Sequence, residues 1–125
     1  MAVRGGDVAT SEAATVFTAE AVAVTLGPID VPADAVRAVI TANSVFLLGA
    51  GSTQVTMKIR RGLLVGDTLV ANTGACATTA GLSAALMLLV VDPLVLFGTI
   101  TYCITLFCNG AGLTNEFTTL AVLFM

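Results

Sequence analysis

Eight carboxylates, five basic residues and three cysteines are the side chains of this 125-residue chain best suited to polar chemistry, and their spacing narrows what that chemistry can be. There is no histidine, so neither a Ser-His-Asp nor a Cys-His nucleophile system can be assembled, and the commonest metal ligand is missing. Glycoside cleavage needs two facing carboxyl groups. Here Asp30, Asp34, Asp67 and Asp92 stand beside glycines or prolines, where closing a turn is the ordinary role, and Glu20 and Glu116 have no evident partner. The segment "GAGSTQ" lacks the third glycine of a dinucleotide fingerprint and runs into a strand pattern, so it reads as a hairpin turn. Cys76, Cys103 and Cys108 cannot all pair within one chain and show no CxxC spacing, which reads as free thiols in a reducing setting. The chain is read as a non-enzyme that uses no cofactor and no metal.

The basic residues point to contact rather than catalysis. Net charge is −3, and only Lys58, Arg60 and Arg61 cluster, so no large basic field exists to gather nucleic acid. Lys58 and Arg60 share the wet face of one strand, and Arg61 begins the turn after it. They are either a solvated face or candidate contacts to acidic residues of a neighbouring subunit, a role that suits arginine.

What must position these groups is an unusually apolar framework. The chain is 57% hydrophobic before its 12 glycines are counted and 10% charged, against about 45–50% apolar including glycine and about 25% charged in ordinary domains. A lone domain of this size lacks the interior to conceal that surplus, so part of it belongs in contacts with other chains or in lipid. The lipid reading rests on Gly81 to Cys108, which Asp92-Pro93 interrupts at its middle, and no Lys or Arg follows Arg61 to set an orientation. A membrane is therefore the lesser expectation, kept as the alternative of a small pore former. The N-terminus shows no apolar signal core, so export by that route is not expected.

A period of two dominates. In "TITYCITLF", Thr99, Thr101, Cys103 and Thr105 alternate with Ile100, Tyr102, Ile104 and Leu106. In "TQVTMKIR", Val55, Met57 and Ile59 alternate with Thr56, Lys58 and Arg60. Turn signals at Gly27-Pro28, Pro32-Asp34, Gly49-Ser52, Gly62, Gly66-Asp67, Asn72-Gly74, Asp92-Pro93 and Asn109-Gly112 divide the chain into strands near 14–18, 20–26, 35–48, 53–61, 66–71, 82–91, 97–108 and 115–124. One helical turn is expected at Ala33 to Val36. The sum is a single all-β domain over 13–125, a two-sheet antiparallel sandwich, preceded by a flexible polar arm over 1–12 that is either a frayed terminus or an anchor that orders against a partner.

Three strands break the rule of one wet face. "SVFLL", "ALMLLVV" and "EFTTLAVLFM" are apolar at both parities; in the last, Phe117, Ala121 and Leu123 alternate with Leu120, Val122 and Phe124. Such strands need cover on two sides, one from the core and one from another chain. Phe107, Phe117, Leu120, Val122 and Phe124 are accordingly the candidate subunit-interface residues, with Cys103 toward the same contact, while Tyr102 reads as a core aromatic whose hydroxyl is satisfied locally.

The order "TQVTMKIRRG", "VGDTLV", "VVDPL", "TYCITLF" and "LTNEFTTLAVLFM" over Val36 to Met125 resembles the small tumour-necrosis-factor/C1q-like (TNF-like) jelly rolls of phage virion proteins, in which the strand after the Asp-Pro turn carries threonine, tyrosine and alternating apolar residues, here Thr101 to Leu106. The resemblance implies a homotrimer with its last strands near the three-fold axis. Its implied role is a capsid decoration (cement) or head-spike protein that binds a major capsid protein or another virion component. It would be made in the host cytoplasm and located at the capsid surface of the virion. With only a short segment before the first strand and no fibre shaft, decoration is expected over a fibre. A receptor- or glycan-binding fibre head is the alternative use of the same trimer.

Overall fold

The computed structural model describes residues 3, 5–12, 15–17, 19–93 and 98–125. Among the described residues ten strands follow one another: β1 Gly5–Ser11, β2 Thr15–Phe17, β3 Ala21–Val31, β4 Ala38–Leu48, β5 Gln54–Arg61, β6 Thr68–Asn72, β7 Cys76–Ala77, β8 Ser83–Asp92, β9 Gly98–Cys108 and β10 Leu113–Phe124. Residues 14, 18 and 97, the outer limits of two expected strands, lie outside the described residues.

The strands form two antiparallel sheets, β1-β10-β4-β8 with β2 also on β10, and β3-β9-β5-β6 with β7 also on β5. Pairing β1 with β10, β3 with β9, β4 with β8 and β5 with β6 is the pattern of one long hairpin whose rungs are rolled into a sandwich. This is the jelly roll, which lets two layers share one core. Among the described residues no helix is long and apolar enough to cross a membrane.

The alternation read from sequence governs the interior. Val55, Met57 and Ile59 of β5 and Ile100, Tyr102, Ile104 and Leu106 of β9 all point inward, against Ile40, Ala42, Phe46 and Leu48 of β4. On β10 the register shifts between Asn115 and Phe117. That bulge puts Leu120, Val122 and Phe124 inside and Phe117 and Leu123 outside. The expectation that Leu120, Val122 and Phe124 lie in a subunit contact is thus corrected, since all three are at most 1% exposed and belong to the chain's own core.

Other expectations shift for local reasons. The segment expected as a flexible arm is, over Gly5–Ser11, an edge strand in continuous register with Ser11↔Thr118 through Gly5↔Phe124. Its polar residues suit an edge because only one side needs a partner. Gly27-Pro28, expected as a turn, lies within β3, where the peptide bond is cis and the register with β9 shifts between Leu26 and Ile29. "GAGSTQ" is no hairpin: it carries the chain from β4 in one sheet to β5 in the other. There Ser52 Oγ donates to Gly112 O at 2.9 Å, and Asn109 Oδ1 accepts from the amides of Thr53 and Gln54 at 2.8 and 3.0 Å. A side chain at Gly110, whose φ is +72°, would meet Gly51 backbone at 2.5 Å. The helical turn expected at Ala33 to Val36 is instead a β-turn one residue earlier, closed by Ala35 N donating to Pro32 O at 3.0 Å.

The parity assignment yields a stability contrast. Leu120→Ala should cost about 2–5 kcal/mol by leaving a core cavity, whereas Leu123→Ala, three residues away on the outer face, should change stability by less than about 0.5 kcal/mol. Urea unfolding of both variants against the parent measures the difference.

Candidate functional site

The two outer faces of the sandwich differ in kind. On the β3-β9-β5-β6 side, Lys58 and Arg60 of β5 lie beside Thr105 and Cys103 of β9, their register partners. Glu20 closes over them: its Oε1 accepts from Arg60 Nη2 at 2.8 Å and Thr105 Oγ1 at 2.9 Å and lies 3.6 Å from Lys58 Nζ. Arg60 Nη1 also donates to Asp67 O at 2.8 Å. Cys103 and Thr105 are therefore buried within the chain although they point away from the main core, which corrects the expectation that Cys103 faces a subunit contact. Desolvation pushes the Glu20 carboxyl up, but the hydrogen bonds from Arg60 and Thr105 and the charges of Arg60 and Lys58 together hold it below its ordinary value. Burial pushes the thiols of Cys103 and Cys108 up, keeping them neutral, and all three cysteines are free.

A second polar cluster ties the two sheets at one end. Asp92, closing β8, accepts Tyr102 Oη–H of β9 at 2.5 Å on Oδ2, and from Arg61 of β5 it accepts Nε–H at 3.1 Å on Oδ2 and Nη2–H on Oδ1. Asp92 is 2% exposed and Tyr102 is fully buried. Burial first, then the Asp92 hydrogen bond and charge, raises the Tyr102 phenol well above its ordinary value, so it stays a donor. The Asp92 hydrogen bond raises Arg61 further, against the opposing effect of burial. Asp92 is thus a cross-sheet anchor rather than the turn former its proline neighbour suggested. Asp67 is a turn former, accepting the amides of Leu63 and Leu64 at 2.8 and 2.9 Å, and a side chain on Gly62 would strike its carboxylate.

Lys58, Arg60 and Arg61, expected as contacts to a partner, are therefore engaged inside the chain, with Glu20 and Asp92 as their counter-ions. Sequence reasoning could not see this, because Glu20 lies 40 residues from Arg60 along the chain. Glu116, also without an evident partner in sequence, accepts from Ser83 Oγ at 3.1 Å. Among the described residues no three His, Cys, Asp or Glu side chains gather as a metal site.

The other face is apolar. The outer positions of β8 are Ala85, Met87, Leu89 and Val91; those of β4 are Val39, Thr41, Asn43, Val45 and Leu47; those of β10 are Phe117, Thr119, Ala121 and Leu123, so that only Thr41, Asn43 and Thr119 interrupt the apolar set. Met87 and Leu89 are 73% and 72% exposed, more than any other large hydrophobic side chain described. Apart from Glu116 at the bulge and the inward Asp92, none of these three strands carries a charge. A contiguous surface of this kind marks an interaction site in a soluble protein. Of the five residues expected there, Phe117 alone sits on this face: Phe107 projects from the opposite sheet beside Thr56, and the other three are core. Met87, Leu89, Val91, Leu47 and Leu123 take their places.

The clusters carry two predictions. Asp92→Asn should cost about 3 kcal/mol by stranding Arg61, and Tyr102→Phe about 1–3 kcal/mol, both read by thermal or urea unfolding. Because the folded-state value of Glu20 lies below its ordinary value of 4.5, its contribution is fully present above pH 4.5 and is lost as pH falls through the lower folded value. Glu20→Gln should therefore be less stable than the parent near neutrality and converge with it under acid, checked by unfolding across that range.

No family model matches the chain, and no curated protein matches it in sequence. Solved structures do match in fold. The VP2 protein of infectious bursal disease virus in derived T=1 particles aligns with a TM-score of 0.65 at 11% identity over 96% of this chain and 32% of that one. The Gx strain of the same virus gives 0.63 at 13% identity over 96% and 33%, and the VP2 subviral particle 0.62 at 12% over 96% and 33%. This chain spans about a third of the length of those chains. At such identities the likeness shows the fold, an all-β sandwich of two antiparallel sheets like that of these viral capsid proteins.

Proposed function

We propose that the protein is a virion structural subunit that assembles with copies of itself through the outer face of the β1-β10-β4-β8 sheet. One observation carries this reading: the apolar outer face of β8, β4 and β10, whose one exposed charge is Glu116 at the bulge, in a chain whose opposite face is closed by internal ion pairs. Covering such a face removes apolar area from water at about 25 cal/mol per Å², and away from Glu116 a second copy of the same surface meets no charge repulsion. The likeness in fold to capsid proteins that form particles supports the virion setting.

The finer form of the proposal follows the TNF-like jelly rolls of phage virions. It is a homotrimer with β10 toward the three-fold axis, serving as a capsid decoration or head-spike protein seated on a major capsid protein at the virion surface. Phe117, Leu123, Leu47, Met87 and Leu89 contribute the contact, and the loops meet the shell. No enzymatic step is part of this role.

Light scattering tests it. The parent should run as a trimer at micromolar concentration, and the double variant Phe117→Lys, Leu123→Lys should run as a folded monomer whose unfolding midpoint no longer depends on protein concentration. A parent that stays monomeric would contradict the proposal.

A further inference from the structure

An open sandwich has four strand edges, and a natural sheet guards each against pairing with another chain by bulges, proline, glycine, charge or brevity. Three edges of this molecule are guarded in those ways. β1 carries Gly5, Gly6 and Asp7 and stops near the β10 bulge, with β2 only three residues long. β3 holds Pro28 and Asp30, and its register with β9 shifts twice. β6 has five residues and a register shift against β5, and β7 has two residues.

Over Ser83–Val91 the β8 edge carries none of these devices; only its last residue, Asp92, is an inward charge, and β6 of the other sheet comes near the strand. Its ten residues keep unbroken register with β4 from Leu47↔Ser83 to Ala38↔Asp92. It contains no glycine or proline, and its one charge, Asp92, is turned inward onto Arg61 and Tyr102. Among the described residues β8 pairs on one side only.

The direction of its free backbone groups follows from the ladder. Leu48 N–H donates to Leu82 O at 3.2 Å, while Arg37, at the opposite parity of the same strand, exchanges hydrogen bonds with Met125 beyond β10. Even-numbered β4 residues therefore bond toward β8 and odd-numbered ones toward β10. The facing groups of Ala84, Leu86, Leu88 and Val90 are thus used on β4, and those of Ala85, Met87, Leu89 and Val91 point to the open side.

We propose that this edge pairs antiparallel with β8 of a second copy, about a two-fold axis at Leu88. In that register Met87 lies opposite Leu89 of the second copy and Ala85 opposite Val91, so all four outward residues become hydrogen-bonded pairs. Asp92 falls opposite Ala84, and no like charges meet. The side chains of Met87, Leu89 and Val91 gain cross-strand neighbours on the outer face, and two sandwiches share one continuous sheet. A second copy is the occupant because the segment is uncharged and complementary to itself in reverse. The contact uses the edge rather than the face, so it stands apart from the trimer reading. Combined with three-fold contacts, two-fold contacts of this type link trimers into a lattice, in which many weak joints act together.

Amide hydrogen exchange on the full chain tests it, compared at dilute and assembling concentrations. The amides of Ala85, Met87, Leu89 and Val91 should slow at least about tenfold on assembly, and Met87→Pro, which deletes one outward amide while sparing the β4 ladder, should abolish that slowing. The Phe117→Lys, Leu123→Lys variant should keep the slowing even if it no longer forms trimers, which separates failure of the edge contact from failure of the face contact. Fast exchange at these four amides in an assembled sample would overturn the proposal, whatever the fate of the proline variant. Slowing that requires a different protein would overturn it equally.

Discussion

The register of β10 is the constraint on which the rest depends. This strand is hydrogen-bonded on both sides, to β1 and to β4, and both of its faces are apolar. A slip by one residue would send Leu120, Val122 and Phe124 outward and bring Phe117 and Leu123 in, with little change in apolar character. Pattern alone leaves the choice open. The bulge at Glu116 decides it, held on one side by buried Thr118, whose hydroxyl donates to Asn115 Oδ1 at 2.7 Å and bonds Ser44 Oγ at 3.0 Å, and on the other by Ser83. These few polar groups in the core select which greasy set is interior and which is left for a neighbour.

How much of this could be read in advance follows from what a strand writes into sequence. β5 and β9 were legible because one parity is polar: the inward set Val55, Met57, Ile59 and Ile100, Tyr102, Ile104 stands out against threonine and the basic residues. The two-sheet sandwich followed from turn spacing. β10 was legible as a strand but not as an orientation. β1 was missed because "GGDVATS" has no apolar stripe; it is a strand only because the open side of β10 demands a partner. Connections were misjudged at "GAGSTQ", since a crossover between sheets and a hairpin use the same small residues.

The site was half legible. That surplus apolar surface needs a second roof follows from composition, and the structure places the most exposed of it, Met87 and Leu89, on the β1-β10-β4-β8 sheet, with Leu63, Leu64, Leu69 and Phe107 exposed on the β5–β6 connection, β6 and β9. The side chains that form it differ from those expected, because the expectation grouped residues by hydrophobicity and not by parity after the bulge. The basic cluster shows the converse error. Lys58, Arg60 and Arg61 looked available because their counter-ions, Glu20 and Asp92, are distant in sequence and close in space. The molecule satisfies its charges internally on one side and leaves its most exposed greasy surface on the other, a division of labour between sheets.

The rolled hairpin also has a consequence in time. Its outermost rung joins Gly5 to Phe124, residues separated by on the order of a hundred positions. Closure of such a loop comes late, and during synthesis the early strand has nothing to zip onto until the late one has emerged from the ribosome. Until β10 arrives, the apolar β4 and β8 are out without their sheet neighbour, so the interval before closure is when nascent chains are most exposed to clumping with their siblings.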